Sequence, residues 1–189
     1  MITVVSGLPR SGTSLVMQML AAGGHPVLCD EARPPDEDNP RGYLEFAKVK
    51  SLERDQSWLV EAEGKAVKIV SYLLTKLPAG FEYRVIFLRR DLHEVLRSQD
   101  EMLKRRGQPP GPGDEIMRQH FERHLKTVDD WLARRSIRVW NCRYDELVRE
   151  ARAQATAMAS FLELSLDVER MVQAVDPALY RQRAGRRGA

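Results

Sequence analysis

Residues 7–14 read Gly-Leu-Pro-Arg-Ser-Gly-Thr-Ser, and no other stretch constrains the fold as tightly. A short β-branched run, Ile2 to Ser6, precedes them. Leu15 to Ala22 follows as a helix stopped by Gly23-Gly24. Gly7-x-x-x-x-Gly12-Thr13-Ser14 has the spacing of a glycine-rich phosphate loop between strand and helix, with Thr13 where the usual lysine belongs. Gly12 can adopt backbone angles that aim successive N–H groups inward, and the helix points its positive end at the same spot. Thr13 and Ser14 add hydroxyl donors and Arg10 adds a cation, so the loop predicts a cradle for phosphate or sulfate.

The rest of the chain alternates strands and helices. Ala66–Val70, Tyr83–Leu88 and Ile137–Cys142 read as strands. Phe46, Val49, Leu52 and Leu59 predict a second helix at near-helical spacing, and Leu73–Leu77 a short helical segment. Asp91 predicts an N-cap, with Glu94 completing a capping box, for a helix running to about Arg106. A long helix from about Asp114 carries Met117, Phe121, Leu125, Val128 and Leu132 on one stripe. Asp145–Leu164 reads as mostly helical and Asp167–Val175 as a last short helix. The alternation predicts one α/β domain, residues 1–180, with a central, mainly parallel sheet flanked by helices and a basic tail at 181–189. Such sheets bind ligands at the carboxyl ends of their strands, where the first loop lies.

Composition narrows the partners. Of 189 residues, 43% are hydrophobic and 30% charged, a mix that builds a core without disulfide or metal staples. No apolar run approaches the ~20 residues that span a bilayer. The net charge is +3, but four arginines, Arg181, Arg183, Arg186 and Arg187, sit in the last nine residues, and the body without them is slightly acidic. A nucleic-acid surface over the whole body is therefore not expected. Cys29 and Cys142 stand in no spacing motif, and the N-terminus has no basic stretch ahead of an apolar one. Reduced thiols and a cytoplasmic location are the expectation.

A second anion site is readable further on. Arg90 closes the strongest strand, and Ser98 lies eight residues later, about two helical turns into the next helix. Arg90 can grip a phosphate from the strand end while Ser98 contributes from the helix. The strand ends in Arg89-Arg90-Asp91 rather than in a lone aspartate of the magnesium-holding kind.

Taken together, these features resemble the sulfotransferases that use 3′-phosphoadenosine 5′-phosphosulfate (PAPS). The sequence looks closest to short bacterial members, and the resemblance covers roughly residues 2–165. In that family Pro-(Lys/Arg)-Ser-Gly-Thr-(Ser/Thr) binds the 5′-phosphosulfate. Here the pattern is Pro9-Arg10-Ser11-Gly12-Thr13-Ser14. The family's 3′-phosphate pair, an arginine at a strand end and a serine eight residues on, corresponds to Arg90 and Ser98. A tyrosine near the adenine corresponds to Tyr144, in Tyr144-Asp-Glu-Leu147. The resemblance implies a three-layer P-loop-type fold and an in-line sulfuryl transfer to a hydroxyl or amine. The acceptor would be a small molecule, glycan or lipid. PAPS would be the co-substrate, with no metal.

Lys68 matches a family lysine that approaches the bridging oxygen, and Arg10 stabilises charge on the leaving phosphate. Many cytosolic members carry a catalytic histidine after the second strand, whereas Val67-Lys-Ile-Val-Ser-Tyr72 has none. Some members use an early glutamate as base, and Glu45 is the candidate here, strengthened if a closed site desolvates it. The family's late Arg-Lys-Gly contact has no match, and the tail arginines are its candidate replacement. His120 and His124 stand four apart but without a third ligand cluster, so no metal is expected there. The loops 25–45 and 108–113 are expected to frame the acceptor pocket. Two other classes fit part of the pattern: a P-loop kinase-like phosphotransferase, and a non-catalytic nucleotide-binding protein of the same fold.

Overall fold

Four strands form one sheet in the order β2-β1-β3-β4, every neighbouring pair parallel. They are β1 (Ile2–Gly7), β2 (Ala66–Lys68), β3 (Tyr83–Arg89) and β4 (Arg138–Arg143). The computed structural model describes residues 1–30, 33–36 and 39–180. The tail at 181–189, with its arginines, lies outside the described residues.

β1 and β3 take the centre, and because both faces of each are covered, every residue of β1 and all but the last of β3 is buried. Side chains alternate between two cores. Val4, Val85 and Phe87 face Leu52, Trp58, Leu59, Val128 and Leu132. Val5, Ile86 and Leu88 face Met17, Leu20, Ala155, Met158 and Leu162. The second core is closed by helices α1 (Thr13–Ala22), α6 (Ala151–Leu162) and α7 (Val168–Gln173). The first is closed by α4 (Asp114–Arg134) and by irregular chain. This is the expected α/β arrangement of a parallel sheet between two layers.

The helix expected around Phe46, Val49, Leu52 and Leu59 is instead two 3-10 turns, Ala47–Ser51 and Ser57–Ala62. The first three of those residues stand three apart, which is the 3-10 period. Asp55 then interrupts the chain, its carboxylate accepting from Ser57 N at 3.0 Å and Ser57 Oγ at 2.7 Å. The helical stretch after β4 is also two helices, α5 (Tyr144–Arg149) and α6, broken where Glu150 leaves helical angles (φ −124°, ψ 43°). The short segment before Pro78 is α2 (Ser71–Leu74), earlier than expected. Asp91 caps α3 (Leu92–Arg105), accepting from His93 N at 2.9 Å and Glu94 N at 3.3 Å. Among the described residues no helix is long and apolar enough to cross a membrane.

Register decides what meets at the carboxyl edge. Lys68 lies opposite Val5, Gly7 opposite Leu88, and Arg89 opposite Arg143. The first loop, Lys68, Arg90 and Tyr144 therefore emerge on one edge of the sheet.

Candidate functional site

The first loop turns tightly before α1. Ser11 N donates to Leu8 O at 3.1 Å, and Arg10 takes a left-handed backbone angle, φ 69°. Gly12 stands at the N-cap of α1 with φ 103°, and a Cβ there would overlap the Tyr144 ring. Glycine is therefore demanded twice, by angle and by the ring packed on it. The first N–H groups of α1 have no partner within the helix, so they are the donors an anion meets.

Around these donors stand most of the residues expected from sequence. A cavity of about 500 Å³ is lined by Arg10, Gly12, Thr13, Ser14, Glu45, Lys68, Arg90, Ser98 and Tyr144. Ser11 is the exception. It is 1% exposed, and its hydroxyl fills the space beside Gly7, 2.5 Å from where a Cβ would be. Within the structure that hydroxyl has no hydrogen-bond partner and does not line the cavity.

The two candidate anion sites separated in the sequence are one cluster in space. Arg10 Nε donates to Ser98 Oγ at 3.0 Å, and Arg90 Nη1 donates to the Arg10 carbonyl at 2.9 Å. Arg90 also donates to Glu94 Oε2 at 3.0 Å, a pair whose side chains are 8% and 6% exposed. Its guanidinium lies 4.4 Å from the centre of the Tyr144 ring. Burial pushes the Tyr144 phenol above its ordinary pKa, with Arg90 opposing, so the ring is a neutral platform.

The other end of the cavity centres on Lys68. Its ammonium donates to Tyr43 O at 2.6 Å and Ser14 Oγ at 3.2 Å, and pairs with Glu45 Oε1 at 3.0 Å. A lysine therefore does reach the first loop, from β2 rather than from within the loop. Burial lowers its pKa from the ordinary lysine value, and Glu45 partly restores it. Arg33 Nη1 lies 3.3 Å from the same Glu45 oxygen, with its guanidinium over the Tyr43 ring. The result is a carboxylate held between an ammonium and a guanidinium at the cavity wall.

Other expectations fall elsewhere. Residues 108–113 do not line the cavity; the last turn of α3, with Met102, Arg105 and Arg106, reaches it instead. His124 Nε2 lies 2.9 Å from Ser71 Oγ and His120 Nε2 3.1 Å from Tyr72 OH, and the Tyr72 ring stacks on His124 at 3.9 Å. This pair docks α4 on α2. Among the described residues no three His, Cys, Asp or Glu side chains gather as a metal site would need. His25 is buried beside Thr3, 3.0 Å from its hydroxyl, and His93 is exposed.

Sequence reasoning missed Arg33, Tyr43 and Tyr180. Tyr180 OH lies 2.7 Å and 2.9 Å from the two Glu94 oxygens, across 86 positions of chain. The Arg90–Glu94 spacing of four was a readable signal for their ion pair. Nothing local announces Tyr180.

At the level of sequence, no family model and no curated protein matches the chain. Among solved structures, the chain is similar to a sulfotransferase domain from the curacin biosynthetic pathway. The TM-score is 0.54 and the identity 16%, over 93% of this chain and 77% of that one. The resemblance read from the loop and the Arg/Ser pair and the likeness of whole folds agree: the chain has the sulfotransferase fold.

Proposed function

We propose that the protein transfers a sulfuryl group from PAPS to a hydroxyl or amine of a small-molecule, glycan or lipid acceptor. The observation that carries this reading is the single cluster at the sheet edge. Arg10, in the phosphate loop, bonds Ser98, while Arg90 bonds the Arg10 backbone. One cluster thus offers donors for two anionic groups, as a nucleotide with phosphate at both the 3′ and 5′ positions requires.

The donor set fits such a nucleotide. Thr13, Ser14, Arg10 and the first N–H groups of α1 would hold the 5′ end. Arg90 and Ser98 would hold the 3′-phosphate, and Tyr144 offers a neutral ring beside them. PAPS would supply the activated sulfuryl group. In the transfer, a bond forms from the acceptor oxygen or nitrogen to sulfur as the bond from sulfur to the 5′-phosphate oxygen breaks. Glu45 takes the acceptor's proton, and the contact with Lys68 steadies its charge before that transfer. Lys68 and Arg10 stabilise the charge that develops on the leaving phosphate, as preorganised donors do in phosphoryl transfer. The Ser11 hydroxyl lies beside Gly7, outside the cavity lining.

The direct test is a screen of a cell extract with isotopically labelled PAPS, read by mass spectrometry. Label appearing in an acceptor with release of adenosine 3′,5′-bisphosphate is the expected result. A complete screen without transfer, from a protein that still binds the bisphosphate, would leave a nucleotide-binding protein in place of an enzyme.

A further inference from the structure

Glu94 is a carboxylate almost out of water, engaged by Arg90 at 3.0 Å and by the Tyr180 hydroxyl at 2.7 and 2.9 Å. A carboxylate at such depth must recover in hydrogen bonds what it loses in hydration, so it competes for every donor in reach. Arg90 has five N–H donors in a fixed fork. Its Nε engages Glu94 and its Nη1 the Arg10 carbonyl, among other contacts. Any donor that satisfies Glu94 in place of Arg90 leaves more of that fork for the cavity. Tyr180 is such a donor, and burial, with the Glu94 hydrogen bond second, pushes its phenol above the ordinary value, so the proton stays on.

The ring matters as well as the hydroxyl. Tyr180 meets Tyr144 edge to face, with centres 5.0 Å apart at 84°. The Arg90 guanidinium lies 4.4 Å from one ring and 5.4 Å from the other. The segment that ends in Tyr180 is tied down just before it, where Arg41 Nη1 donates to Ala174 O at 2.6 Å. The guanidinium is thus bracketed by two rings and steered by one carboxylate.

We infer that Tyr180 is a positioning residue for the 3′-phosphate subsite: its hydroxyl occupies Glu94 and so divides Arg90 between Glu94, the Arg10 carbonyl and a 3′-phosphate. This rests on the nucleotide reading proposed above. Tyr180 touches no reacting atom; it acts through Glu94 on Arg90.

Titration calorimetry with adenosine 3′,5′-bisphosphate and with AMP tests it on four proteins: wild type, Tyr180→Phe, Glu94→Gln and the double variant. The wild type is expected to prefer the bisphosphate. Tyr180→Phe keeps the ring and is expected to cut that preference about tenfold with AMP affinity unchanged. In the Glu94→Gln background the same change is expected to have no further effect, because the charge that Tyr180 offsets is gone. AMP binding reports, in each variant, that the loop and cavity are intact. A preference retained in Tyr180→Phe overturns the role of Tyr180 alone. So does equal weakening of both ligands, or an undiminished effect beside Glu94→Gln. A wild type that binds both ligands equally overturns the 3′-phosphate subsite, and the role of Tyr180 falls with it.

Discussion

The two ends of the cavity are held by different kinds of structure. At the Arg90 end, Arg90, Glu94 and Ser98 stand at the close of β3 or on α3, and the ion pair among them is nearly dehydrated. At the Glu45 end, only Lys68 belongs to a strand. Glu45, Tyr43 and Arg33 lie in irregular chain, and Leu44 takes a left-handed angle, φ 48°. The first end is fixed by the fold itself. The second is assembled by mutual contacts of side chains, and such regions open at lower free energy than regular structure. On the function proposed above, the fixed end would anchor the common donor and the looser end would meet the acceptor.

Substitutions at three positions break or sharpen this comparison. Glu45→Gln has the largest expected effect. Removing the base is expected to lower kcat by about a thousandfold with little change in bisphosphate affinity by calorimetry. Equal loss of affinity would make Glu45 part of the anchor and erase the distinction between the ends.

Lys68→Met comes next, with kcat expected to fall about a hundredfold. The pH profile sharpens the assignment. Because burial lowers the Lys68 pKa, the ammonium is present below that lowered value and lost above it. The alkaline limb of kcat is therefore expected to lie below the ordinary lysine range. In Lys68→Arg, whose charge persists, that limb is expected to move upward. A limb unmoved by the arginine would assign it to another group.

Ser98→Ala is the smallest. It removes one hydroxyl from the fixed end, and bisphosphate affinity is expected to fall about fivefold, more than AMP affinity falls. A larger fall in kcat than in affinity would mean that this end, too, takes part in the chemistry.

The same division explains what was legible in the sequence. The geometry of the first loop was readable because strand, turn and helix are contiguous and Gly12 is required by its own backbone. Arg90 and Ser98 were readable because a helix fixes the distance between positions eight apart. Their fusion with Arg10 was not, since that contact depends on β1 and β3 being neighbours. The stretch holding Phe46 to Leu59 was misread because apolar spacing near three to four does not separate an α-helix from 3-10 turns. Arg33, Tyr43 and Tyr180 lay beyond reach: each acts through partners set by packing, and no local periodicity marks them. Ser11 shows the converse, a residue inside a recognisable motif whose side chain is buried outside the cavity lining.

The shape of the sheet's margins has a consequence for behaviour in concentrated solution. A parallel sheet of four strands has two open sides, each a potential template for another chain. On one side β2 is three residues long, and Val27 already bridges to Ala66 there. On the other, β4 exposes Arg138, Asn141 and Arg143 along its length, a row of polar and cationic groups. Among the described residues one margin is short and already bridged and the other carries arginines, and both features disfavour growth by sheet extension.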